Sequence, residues 1–149
     1  MAKNLSREEV KWLIGILKKI EFFATISLED VDKIIEHFSL YEYPKGKSII
    51  KESESGIALY IIKSGRCVVF KRRLLFLRKT IAILKEGDVF GEMSLLSNNL
   101  TSATVKTLQQ TKIFVYLKSD FLQLLSRNRE LATEIRYIAE KRNYEISNS

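Results

Sequence analysis

The chain has 149 residues, 46% hydrophobic and 29% charged, which gives one folded domain a sizeable core and excludes a disordered chain. Its formal net charge of +7 suits anionic ligands, membrane surfaces or nucleic acid and selects none of them. The single cysteine, Cys67, excludes an intrachain disulfide, and no apolar run is long enough to span a bilayer, so the expected location is the cytoplasm.

Met1–Asn4 leads into a charged helix and not into the apolar core of a signal peptide. Ser6 followed by Glu9 reads as a capping box, and Val10, Leu13, Ile14 and Leu17 then recur at helical spacing. Trp12 and Ile16 give this helix a second apolar face. Ser27 caps another helix, whose buried stripe is predicted as Leu28, Val31, Ile34, Ile35 and Phe38. His37, the only histidine, falls in this helix and is expected to be structural or at the surface.

The pattern changes at Tyr43-Pro44-Lys45-Gly46. Strand-like runs follow at Ser48–Glu52, Ala58–Lys63, Cys67–Lys71, Thr80–Leu84, Ala103–Thr107 and Lys112–Tyr116. Cys67 is expected to be a buried strand residue. Helical periodicity returns with Phe121, Leu122, Leu124 and Leu125, then with Leu131, Ile135, Ile138 and Ala139. The predicted fold is mainly β with flanking α-helices, an antiparallel β-roll of jelly-roll type. Helices occupy about 6–38, the roll about 43–117 and further helices about 119–145, in a single domain spanning 1–149.

No cluster has zinc-ligand spacing, and no nucleophile elbow, P-loop or dinucleotide fingerprint occurs. No enzyme activity, metal or required cofactor is expected.

The most informative stretch runs from Leu84-Lys85-Glu86-Gly87-Asp88-Val89-Phe90-Gly91-Glu92-Met93-Ser94 to Thr101-Ser102-Ala103-Thr104-Val105. It reads as a strand, a glycine turn, a short helix and a return strand. Backbone N–H groups opening a helix favour an anion, and Gly91 is expected to let a ligand approach the backbone. Glu92 would repel a phosphate but suits a hydroxyl donor such as a ribose.

This segment resembles the phosphate-binding cassette of cyclic-nucleotide-binding domains, found in catabolite activator proteins, protein kinase regulatory subunits and gated channels. The family pattern is roughly Phe-Gly-Glu-Leu-Ala-Leu, a loop, then Pro-Arg-Ala-Ala-Thr-Val. Pro44-Lys45-Gly46, Ile49–Glu52 and Ala58–Gly65 are similar to the family's earlier strands, so the resemblance extends from about Leu17 to Ala139. It implies a ligand site of Phe90, Gly91, Glu92, Met93, Ser94, Thr101, Ser102 and Ala103, with cAMP or cGMP as the ligand. Glu92 would accept from the ribose 2′-hydroxyl, and Ser102 would hold the phosphate or contact a guanine amino group. Two positions depart from the pattern: Thr101 stands where the family has its phosphate-pairing arginine, and Ser53 where a glycine is usual after the second strand. The expectation is therefore a signalling module with weakened or altered ligand binding. The alternative is a ligand-independent interaction scaffold on the same fold.

Lys71-Arg72-Arg73-Leu74-Leu75-Phe76-Leu77-Arg78-Lys79 is an apolar centre bracketed by cations. The simpler expectation is that the strands extend and tuck the leucines inward; the other is a protein contact or an anionic membrane surface. In the C-terminal helix, Arg136 and Tyr137 are the residues that the resemblance implies would cap a base. Sequence after Asn143 is too short for a helix-turn-helix, so specific DNA binding is not expected. A homodimer or a docked partner protein is expected at the Trp12/Ile16 face, the Leu74–Leu77 segment or the C-terminal stripe.

Overall fold

The computed structural model describes residues 5–74 and 77–147. The expectations for Met1–Asn4, Leu75 and Phe76 lie outside the described residues. The chain forms two compact units, one from residues 1–38 and 119–149 and the other Ser39–Lys118.

In the helical unit, α1 (Arg7–Leu17) opens on the expected capping box. Ser6 Oγ accepts from the Glu9 N–H at 3.1 Å, and the Ser6 N–H donates to Glu9 Oε1 at 3.0 Å. Leu13, Ile16 and Leu17 are its buried residues, drawn from both of the faces read from sequence. Helix α2 (Leu28–Glu36) is capped by Ser27, whose hydroxyl accepts from the Asp30 N–H at 3.1 Å. Val31, Ile34, Ile35 and Phe38 are buried as predicted, but Leu28, the first residue of the helix, is exposed. His37 ends this helix in an exposed position.

The connection from α1 to α2 supplies Phe22 and Phe23, which pack on Phe121 of α4 (Lys118–Arg127) with ring centroids 6.4 and 5.7 Å away. Asn128 then divides α4 from α5 (Arg129–Ser147). Its Oδ1 accepts from the Leu131 N–H at 3.0 Å, and its Nδ2 donates to the Asp30 carboxylate at 3.1 Å. One side chain thus starts a helix and ties it to the first turn of α2. Leu131 and Ile135 of the C-terminal stripe are buried.

The other unit is an antiparallel roll with eight strands among the described residues. One sheet has the order β1 (Ser39–Tyr43), β8 (Thr111–Leu117), β3 (Ala58–Ser64), β6 (Val89–Phe90). The other has β2 (Ser48–Ile50), β7 (Thr104–Thr107), β4 (Cys67–Arg72), β5 (Arg78–Leu84). Strand alternation sends Ala58, Tyr60 and Ile62 of β3 inward to meet Cys67, Phe90, Val105, Ile113 and Val115. Each fully buried Ile or Val of this cluster stabilises the roll by about 1.5–3 kcal/mol.

Two strands escaped the sequence reading. β1 pairs with β8 along five residues although its Leu40 and Tyr41 are exposed, so it lacks the half-buried alternation by which a strand is recognised. β6 has two residues and exists through pairing with Tyr60 and Ile61. The strands of the cation-bracketed hairpin do extend, with Arg72 paired to Arg78, but Leu74 and Leu77 are not tucked inward.

Candidate functional site

The site starts from β3. Gly87 and Asp88 tie the incoming chain to it through the Gly87 N–H to the Ile62 carbonyl and the Ile62 N–H to the Asp88 carbonyl, at 2.8 and 3.0 Å. Phe90 then stacks on Tyr60, with ring centroids 4.9 Å apart and planes 9° from parallel. At Gly91 the backbone takes φ +78° and turns into α3 (Met93–Leu96). A Cβ at Gly91 would stand 2.7 Å from the Ala58 carbonyl oxygen and 3.0 Å from Tyr60 Cδ2. The glycine is therefore needed for a left-handed turn pressed against β3, and it also lines the cavity beside α3.

Helix α3 is one turn long. The Ser94 N–H donates to the Gly91 carbonyl at 3.0 Å and the Leu95 N–H to Glu92 at 3.2 Å, so Ser94 offers no free backbone donor. Glu92 is half-buried at the start of the helix, and its side chain makes no capping bond. It has no ion-pair partner among the described residues. Beyond α3, Lys118 Nζ holds the loop by donating to the Ser97 carbonyl at 2.8 Å and to Asn98 Oδ1 at 2.9 Å.

The loop returns past Leu100, which bridges to Ser55, and reaches Thr101. Thr101 is laced to residues 51–54. The Ser53 N–H donates to its carbonyl and its own N–H donates to the Glu54 carbonyl, both at 2.8 Å. Its hydroxyl donates to the Lys51 carbonyl at 2.5 Å and accepts from the Glu54 N–H at 3.1 Å. The partner loop is itself sharply turned: Ser53 has φ +65°, the conformation for which glycine is suited. The departures at 53 and 101 thus belong to one hydrogen-bonded junction.

Between α3, this loop and the inner face of the second sheet lies a cavity of about 440 Å³, within the range of small-molecule sites. Phe90, Gly91, Glu92, Met93, Ser94, Thr101, Ser102 and Ala103 all line it. The sequence reading missed its apolar wall, made by Ile50, Val69, Leu84 and Val105. Strand alternation was the signal available for those residues. Glu92 is the only ionisable residue among the described lining residues, so the site has a negative charge and no cation. Arg136 and Tyr137 stand exposed on α5 of the helical unit.

A family profile described as the cyclic nucleotide-binding domain matches residues 40–128. A cyclic AMP receptor protein of Thermus thermophilus is 33% identical over 111 residues, covering 74% of this chain and 51% of that protein. A cAMP-dependent protein kinase regulatory subunit of Debaryomyces hansenii is 36% identical over 109 residues, covering 73% of this chain and 23% of its own length. Among solved structures, the regulatory domain of Toxoplasma gondii PKA with cAMP superposes with a TM-score of 0.71 at 23% identity, covering 81% of this chain and 46% of that one. The chain thus spans about half or less of these relatives.

Proposed function

Because the chain belongs to the cyclic nucleotide-binding domain family, we propose that it is a non-catalytic regulatory module whose cavity binds a cyclic nucleotide weakly. The observation that carries this reading is the charge of the lining, where Glu92 stands without a cation. In this reading Glu92 accepts from the ribose 2′-hydroxyl, and backbone N–H groups at Gly91–Met93 meet the phosphate. No side chain neutralises the phosphate. A charge-assisted hydrogen bond contributes about 1.5–3 kcal/mol, so its loss lowers affinity by roughly one to two decades. The Thr101 hydroxyl does not replace it, because its one O–H donor is already given to the Lys51 carbonyl. The proposed location is the cytoplasm, in keeping with a lone, buried Cys67.

A second reading rests on the same residue. Thr101 serves the junction with residues 51–54, so position 101 maintains the fold whether or not a ligand enters. This favours a ligand-independent scaffold that associates with another protein or a second copy.

Calorimetric titration of the native chain and of Thr101→Arg with cAMP and cGMP separates the two. Weak-binding predicts low native affinity and a gain of roughly one to two decades in the variant. The variant should also lose about 1–2 kcal/mol of stability, because the side-chain bonds to Lys51 and Glu54 disappear. Tight native binding unchanged by Thr101→Arg would overturn the site assignment, and no binding by either protein would favour the scaffold.

A further inference from the structure

Five cations in the described part of the β4–β5 hairpin have no part in the cavity. Lys71 pairs across the strands with Lys79, and Arg72 with Arg78, so like charges face each other where opposite charges would stabilise the ladder. Arg73 follows directly. None of the five is ion-paired among the described residues. Their closest acidic neighbour in the hydrogen-bond network, Glu52, accepts from the Arg72 backbone N–H at 3.0 Å. Arg78 lies on the Phe70 ring, 4.6 Å from its centroid, which fixes that guanidinium beside the sheet.

The described residues next to the cations, Leu74 and Leu77, are apolar and hydrogen-bonded through their backbones. The Arg73 N–H donates to the Leu77 carbonyl at 2.7 Å, and the Leu77 N–H donates to the Leu74 carbonyl at 3.1 Å. These bonds bring Leu74 and Leu77 together, and their side chains are 84% and 66% exposed. A monomer gains nothing by holding two leucines in water at the tip of a basic hairpin.

The charge is also unevenly divided. Residues 39–118 contain fourteen Lys and Arg against six Asp and Glu, a net +8, while the remaining residues sum to −1. The positive excess of the whole chain therefore lies in the unit that carries the hairpin.

We propose that the β4–β5 hairpin docks on an anionic phospholipid bilayer, with Leu74 and Leu77 entering the headgroup–acyl boundary and the flanking Lys and Arg meeting the lipid phosphates. A bilayer answers both features at once. Nucleic acid would satisfy the cations and leave the leucines in water. An uncharged apolar partner would do the reverse and leave Lys71/Lys79 and Arg72/Arg78 facing one another unrelieved. Anionic lipid separates the like-charged pairs electrostatically and takes up the apolar tip. The docking is peripheral, since no described helix is long and apolar enough to cross a membrane.

The test is co-sedimentation of the full chain with vesicles of phosphatidylcholine alone and with about a third phosphatidylserine. Binding should be at least about tenfold tighter to the anionic vesicles, each engaged cation contributing roughly fivefold, and should weaken with salt. Leu74→Ser with Leu77→Ser should reduce binding about tenfold or more, as should Arg73→Glu with Lys79→Glu. All four positions are exposed, so thermal unfolding should not change and reports that the variants are folded. Failure to bind anionic vesicles would overturn the proposal. So would undiminished binding after loss of both leucines, or tighter binding to duplex DNA or to polyglutamate than to anionic vesicles.

Discussion

Thr101 looks from sequence like a simple exchange of a charged phosphate ligand for a neutral one. In the structure it is also a fastener, with four hydrogen bonds to residues 51–54. The sequence puts Thr101 where the resemblance implies an arginine, which needs only a position count between Glu92 and Val105. It could not show the fastener, because pairing of 101 with 51–54 depends on the meeting of segments nearly fifty residues apart. Ser53 lies between these cases. The absent glycine was visible in the sequence, and its φ of +65° confirms that the chain needs a left-handed residue there. Cys67 was read as a buried strand residue and is one. Burial pushes its thiol from 9.0 up to about 11. The folded chain then keeps a proton that the unfolded chain releases, so this contribution to stability is full below about pH 9 and is lost as pH rises towards 11. Tyr60, pushed up from 10.0 to about 12 by burial and then by Tyr43, extends the loss above pH 10. Urea unfolding followed against pH should show a flat midpoint to about pH 9 and a steady fall beyond it. Cys67→Ala should start lower, from the lost packing, but fall less between pH 9 and 10.

At the scale of elements, the short turn from β6 into α3 depends on how closely it approaches β3. Gly91 combines φ +78° with a virtual Cβ 2.7 Å from the Ala58 carbonyl. Gly91→Ala should therefore destabilise the roll by more than about 2 kcal/mol, the sum of left-handed strain and a displaced strand, as read by chemical denaturation. Unchanged stability would mean that α3 can move off β3 at little cost. Elements with a strong period were legible. The capping box at Ser6 and the stripe of α2 follow from side-chain spacing, and β3 is legible as a continuous apolar run, Ala58 to Ile62, bounded by turn residues. Those with neither signal were not. β1 carries exposed residues on a pairing strand, and β6 is too short to have any pattern. The β4–β5 hairpin is a third kind of case. Its strands were read correctly as extending, while burial of the leucines was inferred from hydrophobicity alone, and the structure places Leu74 and Leu77 in solvent.

For the whole molecule, membership of the cyclic nucleotide-binding domain family and the charge distribution bear on different surfaces. The family relation accounts for the roll and brings all eight expected residues to one cavity. Of the three apolar surfaces considered for association, Ile16, Leu131 and Ile135 are buried, Trp12, Ile138 and Ala139 are half-buried, and Leu74 and Leu77 are exposed. The central claim is the proposal about the cavity: Glu92 meets a ribose, and none of the described lining residues offers a cation to a phosphate. The most direct measurement is a side-by-side calorimetric titration of the native chain with cAMP and with adenosine, which differ in the cyclic phosphate. With no side-chain cation to reward the phosphate, the two affinities should lie within about tenfold of each other, and Glu92→Gln should weaken both. Binding of cAMP more than about a hundredfold tighter than adenosine would show that a cation reaches the phosphate after all, and would contradict the account.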